Sequence, residues 1–462
     1  MKKVAMIGAG STAFAKRLVN DILFLDPFRD AEIRLMDIDP DRLEMSEKTM
    51  HVVAERREAQ CTIVPTLDRR QALDGADFVI CMIQVGGNKA TEVDFEVCRR
   101  HGLKLVIGDT IGIPAISRAL RTAPVMLEFC REMEELCPDA HLLNYTNPMG
   151  MNMAAVLRGS AVKGVGLCHG VYGTAHKLAK FLGVEYSRLT YLCAGINHLA
   201  FFIRLEVDGK DAYPQLREAF DTTHKDQELV RQEVFRRFGY FMTESSFHLP
   251  ECVPYFLKSD ESIQEYDIAI DEYIYRSQEN YEIFEQVAKA FKAGKNVFDG
   301  ETEGITFTPR SRMRTGHAEP GELGPQFKIA DRRSGEYCSS IVNAIATDEP
   351  FVFAGNVLNK GLIDNLLPNS CVEVPVLVDA NGYQPTHIGS LPPQCAALVQ
   401  TNINCQELTT CAILEESREH ALHAALLSPH ASSTLSSKAI VALMDDLLKA
   451  HEKLLPKWCI GG

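Results

Sequence analysis

The stretch that decides the fold is KVAMIGAGS, residues 3–11. A short apolar run predicts a buried strand, and a glycine turn follows it at once. A helical pattern runs from Thr12 to Leu23, and EIRLMDID, residues 32–39, predicts a second strand that ends in carboxylates. Strand, glycine turn, helix and strand in this order are typical of the βαβ unit that begins a dinucleotide-binding domain.

The glycine turn has the features of a cofactor site. Gly8 and Gly10 allow the backbone to approach a pyrophosphate, whose charge the first amides of the next helix attract. Ala13 stands where the pattern usually has its third glycine, which is a permitted change. Asp37, 27 residues after Gly10, can bind a ribose diol and would repel a 2′-phosphate. The sequence therefore predicts NAD rather than NADP; the alternative is a Rossmann-like domain that has lost its nucleotide.

Further strand patterns extend this unit into an α/β domain. They lie at residues 76–83, 103–107, 141–145 and 162–167. Gln84 follows the first of them in a glycine loop, and Asn147 follows the third in an Asn-Pro turn. Ligands in such sheets bind beyond the carboxyl ends of the strands, so the Asn147 amide could hold a hydroxyl or a nicotinamide ribose. The alternative is that Asn147 has only a structural role in the turn.

The pattern becomes less regular in the second half of the chain. Residues 226–238 and 271–292 predict long helices, 372–378 predict a strand, and 392–455 predict closing helices. We expect an N-terminal Rossmann-like, doubly wound parallel sheet over residues 1–195 and a mixed α/β (α+β) domain over residues 196–462. The Gly- and Pro-rich residues 294–330 predict a mobile loop or lid between globular patterns.

Two apolar runs end in possible metal ligands. GVGL, residues 164–167, leads to Cys168, and CAGIN, residues 193–197, leads to His198. A thiolate and an imidazole at the ends of two neighbouring strands could hold a divalent transition metal. The alternatives are a buried core cysteine and a helix-start histidine whose hydrogen bonds are satisfied.

The composition excludes several classes of protein. The chain has 462 residues, 46% hydrophobic and 24% charged, with a net charge of −14 and no Lys/Arg run. Nucleic acid and anionic membranes are therefore not expected partners, and no apolar run approaches the roughly 18 residues of a membrane span. Fourteen cysteines without a CxxC pair predict reduced thiols in a cytoplasmic protein.

Taken together, the motifs resemble a known family. GAGST, MDIDP, NYTNPM, VGLCHG, AGINH and TNIN are similar, in order and spacing, to glycoside hydrolase family 4. This is the family of NAD- and manganese-dependent glycosidases, and the resemblance is closest to its α-galactosidase branch. It extends essentially from end to end of the chain.

The resemblance implies a hydrolysis that proceeds through oxidation. NAD⁺ takes hydride from C3 of the sugar, and the resulting ketone acidifies the proton on C2. A base removes that proton while Mn²⁺ stabilises the oxygens on C2 and C3, and the glycosidic oxygen leaves C1. Water then adds, and NADH returns the hydride, so that the cofactor is regenerated.

The resemblance also implies roles for individual residues. The resemblance assigns Gly8, Gly10, Ser11 and Asp37 to the cofactor site, Cys168 and His198 to the metal site, and Asn147 and His169 to the substrate site. We add Gln84 as a candidate for the cofactor site, and Asn197 and Arg333 as candidates for the substrate site. His169, next to the metal cysteine, is expected to protonate the leaving group or to bind a substrate hydroxyl.

The chain departs from the family pattern on the substrate side. A GPGG-like loop appears as GIPA, residues 112–115, and the tyrosine that usually serves as base falls on Cys252. An Arg-Glu-Tyr triplet has become Gly335-Glu336-Tyr337, with Arg332 and Arg333 upstream as possible compensation. The candidates for the base are Asp109, Tyr337 and Cys252.

The sequence is also compatible with several alternative functions. A plain NAD-dependent dehydrogenase of a sugar or hydroxy acid shares the nucleotide motifs, and a non-catalytic NAD- or sugar-binding homologue accommodates the departures. The sugar, its anomer and its aglycone stay open; an unphosphorylated glycoside is preferred because no phosphate-binding cluster is evident. The resemblance implies a homodimer or homotetramer.

Overall fold

The fold is described from a computed structural model that covers residues 1–295, 297, 301, 305, 307–312 and 328–460. The loop predicted at 294–330 lies largely outside these residues. No helix in the described part of the chain combines the length and the apolar character that crossing a membrane requires.

The described strands form a single sheet. In chain order they are β1 (Lys3–Ile7), β2 (Glu32–Met36), β3 (Thr62–Thr66), β4 (Phe78–Cys81), β5 (His141–Asn144), β6 (Lys163–Leu167), β7 (Leu189–Ile196), β8 (Leu199–Val207), β9 (Lys210–Asp211), β10 (Phe351–Leu358), β11 (Cys371–Asp379) and β12 (Gly382–Pro385). Their spatial order is β3-β2-β1-β4-β5-β6-β10-β11-β7-β8-β9, and β12 pairs with β11.

Strands β1 to β6 are parallel and the strands beyond β6 are antiparallel. The order 3-2-1-4-5-6 is that of a doubly wound dinucleotide-binding sheet. The predicted fold class, a Rossmann-like parallel sheet with a mixed α/β continuation, is therefore confirmed.

The described α-helices complete the layers around the sheet. They are α1 (Thr12–Leu23), α2 (Pro40–Arg56), α3 (Arg69–Leu73), α4 (Gly87–Arg100), α5 (Ile113–Leu136), α6 (Met149–Gly159), α7 (Gly170–Phe181), α8 (Tyr213–Asp221), α9 (Leu229–Phe238), α10 (Leu249–Cys252), α11 (Asp260–Glu265), α12 (Glu272–Lys292), α13 (Tyr337–Thr347), α14 (Pro393–Leu414), α15 (Arg418–Leu426), α16 (Pro429–Thr434), α17 (Ser437–Ala450) and α18 (Lys457–Ile460).

The alternation of side chains along β1 explains its continuous apolar run. Val4 and Met6 belong to one buried cluster, and Ala5 and Ile7 belong to another on the opposite face of the sheet. Parallel strands with helices on both faces need apolar residues at every position. This interior strand is therefore recognisable from its composition alone.

Two local predictions were wrong. Residues 103–107 form no strand; the backbone N–H groups of Val106 and Ile107 are bound instead by a side chain of α10 that is described below. The strands β6 and β7, which precede Cys168 and His198, are not neighbours, since β10 and β11 lie between them. The division of the chain at residue 195 stays a prediction; this residue lies within β7, and the sheet continues across it.

A partly buried carboxylate anchors the segment that follows α9. Glu228 accepts hydrogen bonds from Lys177 Nζ at 2.9 Å and from the Ser246 backbone N–H at 3.1 Å, and it lies 3.4 Å from Arg231 Nη1. Burial alone would raise the pKa of Glu228, but the two cations and the amide lower it from 4.5 to about 2. The ionised form therefore stabilises the fold above pH 4.5, and this contribution is lost as the pH falls towards 2.

The Glu228→Gln variant should reveal this contribution as a pH dependence. The free energy of unfolding, measured by urea titration, should be higher for the wild type at pH 6. The gap to the variant should narrow by roughly 1 to 2 kcal/mol at pH 3.5. A gap that is constant between these pH values would show that the pKa of Glu228 is not lowered by folding.

Candidate functional site

The candidate residues collect at the carboxyl edge of the parallel strands. Gly8 follows β1, Asp37 follows β2, Gln84 lies in the loop after β4, Asn147 lies after β5, and Cys168 follows β6. Each of these strands runs in the same direction, so the loops that follow them meet at one edge. The sheet topology therefore brings the predicted cofactor, substrate and metal residues to the same side of the molecule.

The glycine turn packs closely against the backbone that follows β4 and leads into α1. Gly8 has φ 92°, and a Cβ there would lie 2.9 Å from the carbonyl oxygen of Met82. The Gly10 N–H donates to Asp37 Oδ2 at 2.7 Å, so the carboxylate that is predicted to bind ribose also fixes the turn. Ser11 is exposed at the start of α1, and its side chain makes no capping hydrogen bond. The first amides of α1 therefore remain available for an anion.

Gln84 and its loop are held by the neighbouring helix. Its side-chain amide Nε2 donates to the Thr91 hydroxyl of α4 at 3.0 Å. Gly86 and Gly87 follow with positive φ values of 80° and 58°. Gln84 thus lies where a Rossmann-type sheet binds its ligand, beyond the end of β4 and next to the glycine turn after β1.

The two predicted metal ligands lie within reach of one another. Cys168 Sγ is 3.7 Å from His198 Nε2, although two strands separate β6 from β7 in the sheet. His198 lies in the tight turn between β7 and β8 with φ 64°. The turn rather than the strand order directs the imidazole towards the thiol.

The geometry of this pair suits a divalent metal. The 3.7 Å separation would allow the Cys168 sulfur and the His198 nitrogen to ligate one ion. His198 Nδ1 lies 2.5 Å from Glu244 Oε2. A carboxylate on one imidazole nitrogen fixes the tautomer that offers the other nitrogen to a metal. The donor set and its support therefore fit a metal site.

Glu244 and His248 belong to this site, although no sequence motif predicts them. His248 Nδ1 lies 2.9 Å from His198 Nδ1 and 3.5 Å from Glu244 Oε2. One ligand atom from each of these three residues lies within 4.8 Å of the others. The four-residue spacing of Glu244 and His248 was visible in the sequence, but their proximity to His198, 50 residues away, was not.

The charged groups of the cluster stabilise each other's ionised forms. Burial would lower the pKa of His198, but Glu244 and Cys168 raise it above its ordinary value. Burial would raise the pKa of Glu244, but His198 and His248 hold it well below its ordinary value. A metal at Nε2 must therefore displace a proton from His198, as is usual for metal ligands in proteins.

Asp109 faces the substrate side of the site. Its Oδ2 accepts a hydrogen bond from Asn147 Nδ2 at 3.3 Å, and its Oδ1 accepts one from the Thr110 hydroxyl at 2.7 Å. Burial alone would raise the pKa of Asp109, but the charges of Arg118, His248 and His198 lower it. Two of the predicted residues, Asp109 and Asn147, are therefore hydrogen-bonded to each other, and the nearby positive charges favour the ionised form of the Asp109 carboxyl.

The other two candidates for the base are less suitable. Burial, followed by the effect of Tyr191, raises the pKa of Tyr337 far above 10. Burial and the acidic neighbours of Cys252 raise the pKa of its thiol well above 9, and Cys252 Sγ lies 3.7 Å from the His248 carbonyl oxygen. Both groups are therefore protonated near neutral pH, which favours Asp109 among the three.

His169 has an exposed side chain beside the metal pair. It lies directly before α7 with 72% of its side chain exposed, and its Nδ1 is 3.8 Å from Glu336 Oε1. The same carboxylate oxygen lies 3.5 Å from Arg17 Nη1 of α1. His169 can therefore reach a ligand while Glu336 stays near its ring.

Asn197 and Arg333 are engaged elsewhere. Asn197 is buried and donates to Glu373 Oε1 at 3.4 Å, where burial raises the pKa of Glu373 to about 7. Arg333 Nη2 donates to the hydroxyls of Ser339 and Ser340 at 2.8 and 2.6 Å. These contacts give no support to the predicted contacts with substrate.

The residues that depart from the family pattern are packed against neighbouring parts of the structure. The Tyr172 ring covers Gly335, and a Cβ at this position would overlap the ring. Pro114 and Ala115, which stand where the family loop has glycines, are buried at the start of α5. These substitutions are therefore accommodated by packing.

Comparison with known proteins identifies the family. The model described as "Family 4 glycosyl hydrolase" matches residues 3–184, and that of its C-terminal domain matches residues 193–431. An alpha-galactosidase of Bacillus subtilis is 40% identical over 99% of this chain and 100% of its own length.

Solved structures share the fold. A putative glucosidase from Bacillus subtilis superposes with a TM-score of 0.82 at 24% identity, over 97% of this chain and 100% of its own. A 6-phospho-beta-glucosidase from Thermotoga maritima, solved with manganese, NAD⁺ and glucose-6-phosphate, has a TM-score of 0.75 at 19% identity, over 98% and 99%. With both family models matched in sequence along the chain, the protein belongs to glycosyl hydrolase family 4 and is a glycoside hydrolase.

Proposed function

We propose that this glycoside hydrolase is an α-galactosidase-like enzyme that uses NAD⁺ and Mn²⁺ to cleave unphosphorylated glycosides by oxidation, elimination, hydration and reduction. The observation that carries this proposal is the 3.7 Å approach of Cys168 Sγ to His198 Nε2, beside the glycine turn at the same sheet edge. A plain dehydrogenase or hydrolase needs no thiol and imidazole at that position. We further propose that residues 1–195 bind the cofactor and residues 196–462 complete the metal and substrate sites.

The cofactors and the chain divide the chemistry between them. When bound, NAD⁺ and Mn²⁺ would supply a hydride acceptor for C3 and a Lewis acid for the oxygens on C2 and C3. Gly8, Gly10 and Ser11 are proposed to bind the pyrophosphate, and Asp37 the ribose. Cys168 and His198 would hold the metal.

The remaining groups handle the substrate and its protons. Asp109, which is ionised, is proposed to take the proton from C2, because a base must be deprotonated near the working pH. Asn147 would orient a sugar hydroxyl next to Asp109. His169, exposed beside the metal pair, would give a proton to the glycosidic oxygen or bind a substrate hydroxyl.

The sugar is proposed from the relatives and from this chain's own residues. The Bacillus subtilis relative, named an alpha-galactosidase, supports an α-galactoside. The loss of a side chain at Gly335, where the family triplet usually has arginine, removes a cation from this part of the site, and the Tyr172 ring fills the space. This exchange disfavours an anionic phosphate on the sugar and supports a neutral one.

A panel of aryl glycosides tests the proposal. The enzyme, reduced and supplied with Mn²⁺ and NAD⁺, should hydrolyse p-nitrophenyl α-galactoside faster than the glucoside, uronide and 6-phospho analogues. Absorbance at 340 nm should show no net NADH. One NADH formed per turnover would favour the dehydrogenase, and NAD⁺ binding without activity on any glycoside would favour the non-catalytic homologue.

Glu244 is predicted to control the affinity for Mn²⁺. Because its carboxylate fixes the His198 tautomer, the Glu244→Gln variant should bind Mn²⁺ about 10- to 100-fold more weakly. The free Mn²⁺ signal in electron paramagnetic resonance measures this affinity directly. Glu233→Gln, which removes only a carboxylate that pairs with Arg237 on α9, is the control. Equal affinities of the two variants would contradict the assigned role.

A further inference from the structure

One fully buried carboxylate contacts both the loop that carries Asp109 and the histidine that packs against His198. Glu251, in α10, is 1% exposed. Its Oε1 accepts the backbone N–H of Val106 at 2.6 Å, its Oε2 accepts that of Gly108 at 2.8 Å, and the N–H of Ile107 lies 3.2 Å from each oxygen. Three successive amides thus converge on one carboxylate, an arrangement typical of an anion-binding backbone nest.

The nest fixes the residue that follows it. Gly108 has φ 64°, and a Cβ there would lie 3.1 Å from the Phe95 ring and 3.2 Å from Pro114, so the backbone is held closely in this conformation. Asp109 is the next residue, with its carboxylate on Asn147. The position of Asp109 is therefore set by the contacts of Glu251 rather than by a strand.

The same carboxylate supports the metal side. Glu251 Oε2 lies 3.2 Å from His248 Nε2, and the other nitrogen of that ring lies 2.9 Å from His198 Nδ1. His248 also lies 3.5 Å from Glu244 Oε2. The contacts run without a break from the amides before Asp109, through Glu251 and His248, to the imidazole that faces Cys168.

We propose that Glu251 is a positioning residue that holds the Asp109 loop and the His248–Glu244 support of His198 at a fixed distance from each other. The inference rests on the proposed function, because it assumes a metal at Cys168 and His198. Its consequence is that one carboxylate, which touches neither substrate nor metal, sets both the order of the Asp109 loop and the affinity for the metal.

The Glu251→Gln variant tests this coupling. It keeps the size of the side chain but replaces one acceptor oxygen by a donor, which faces either a backbone N–H or His248. We expect Mn²⁺ to bind about tenfold more weakly in electron paramagnetic resonance. Within residues 106–108, we also expect the amides that face the replaced oxygen to exchange hydrogen at least about tenfold faster, since they lose their acceptor.

A matched control separates positioning from a general loss of stability. Glu279 is equally buried, and its carboxylate accepts the backbone amides of Arg310 and Ser311 in another loop. The Glu279→Gln variant should lower the melting temperature but leave Mn²⁺ affinity and the exchange of residues 106–108 unchanged.

The second variant, His248→Gln, breaks the link on the other side of Glu251. It should weaken Mn²⁺ binding while the amides of residues 106–108 stay protected, and it decides the question if Glu251→Gln does not fold. Unchanged Mn²⁺ affinity in either folded variant overturns the proposal, as does unchanged exchange in Glu251→Gln. Failure of the wild type to bind Mn²⁺ would instead overturn the proposed function.

Discussion

The Cys168→Ser variant is expected to lose nearly all metal-dependent hydrolysis. A serine hydroxyl does not ionise near neutral pH, so the pair that faces the metal would retain only the imidazole of His198. Lewis-acid stabilisation by a metal is worth several kcal/mol, and each 1.4 kcal/mol corresponds to a factor of ten. Activity at a fixed Mn²⁺ concentration should therefore fall by about a thousandfold.

A matched variant separates the metal role from a general effect of losing a thiol. Cys61 is also a half-buried free cysteine, and Cys61→Ser should keep its activity and its affinity for Mn²⁺. NAD⁺ binding should be unchanged in both variants, because the glycine turn is untouched. Metal-dependent activity of Cys168→Ser within tenfold of the wild type would remove the thiol from the site.

The Asp109→Asn variant is expected to show the second largest loss. The amide has nearly the same shape and can still contact Asn147, but it cannot accept a proton from C2. General base catalysis contributes about 10²- to 10⁴-fold, so kcat should fall by about a thousandfold. The affinities for Mn²⁺ and NAD⁺ should stay within a few-fold of the wild type.

The exchange of the C2 proton checks this assignment separately from kcat. If Asp109 removes the proton, the variant should show a larger kinetic isotope effect with a substrate deuterated at C2, since this step becomes slower. Asp139→Asn, an exposed carboxylate paired with Lys163, serves as the control. A kcat of Asp109→Asn close to that of the wild type would show that Asp109 is not the base, and would favour Tyr337 or Cys252.

The nucleotide half of the fold could be predicted from sequence because its determinants are local. The helix predicted from Thr12 to Leu23 has those bounds in the structure, and Asp37 lies directly after β2 as expected. Each of these elements is defined by residues that are neighbours in the chain. The burial of successive side chains of β1 on opposite faces of the sheet, and the glycine turn after it, can therefore be read from the local pattern of residues.

The rest of the site could not be predicted because it depends on contacts between distant segments. Residues 103–107 have the apolar composition of a strand, yet the amides of Val106 and Ile107 bind Glu251, which lies more than 140 positions away. His198 and Cys168 were expected on neighbouring strands, but a tight turn brings them together across β10 and β11. The carboxylates of Glu244, which is partly buried, and Glu251, which is fully buried, are not distinguished by any local pattern.

The central claim is that hydrolysis passes through loss of the C2 proton, and exchange with solvent tests it most directly. The enzyme with Mn²⁺ and NAD⁺ should convert an α-galactoside in D₂O to galactose that carries deuterium at C2, detected by proton NMR or mass spectrometry. Free galactose kept in D₂O without enzyme is the control. Galactose released by full turnover without deuterium at C2 would contradict the oxidation and elimination route.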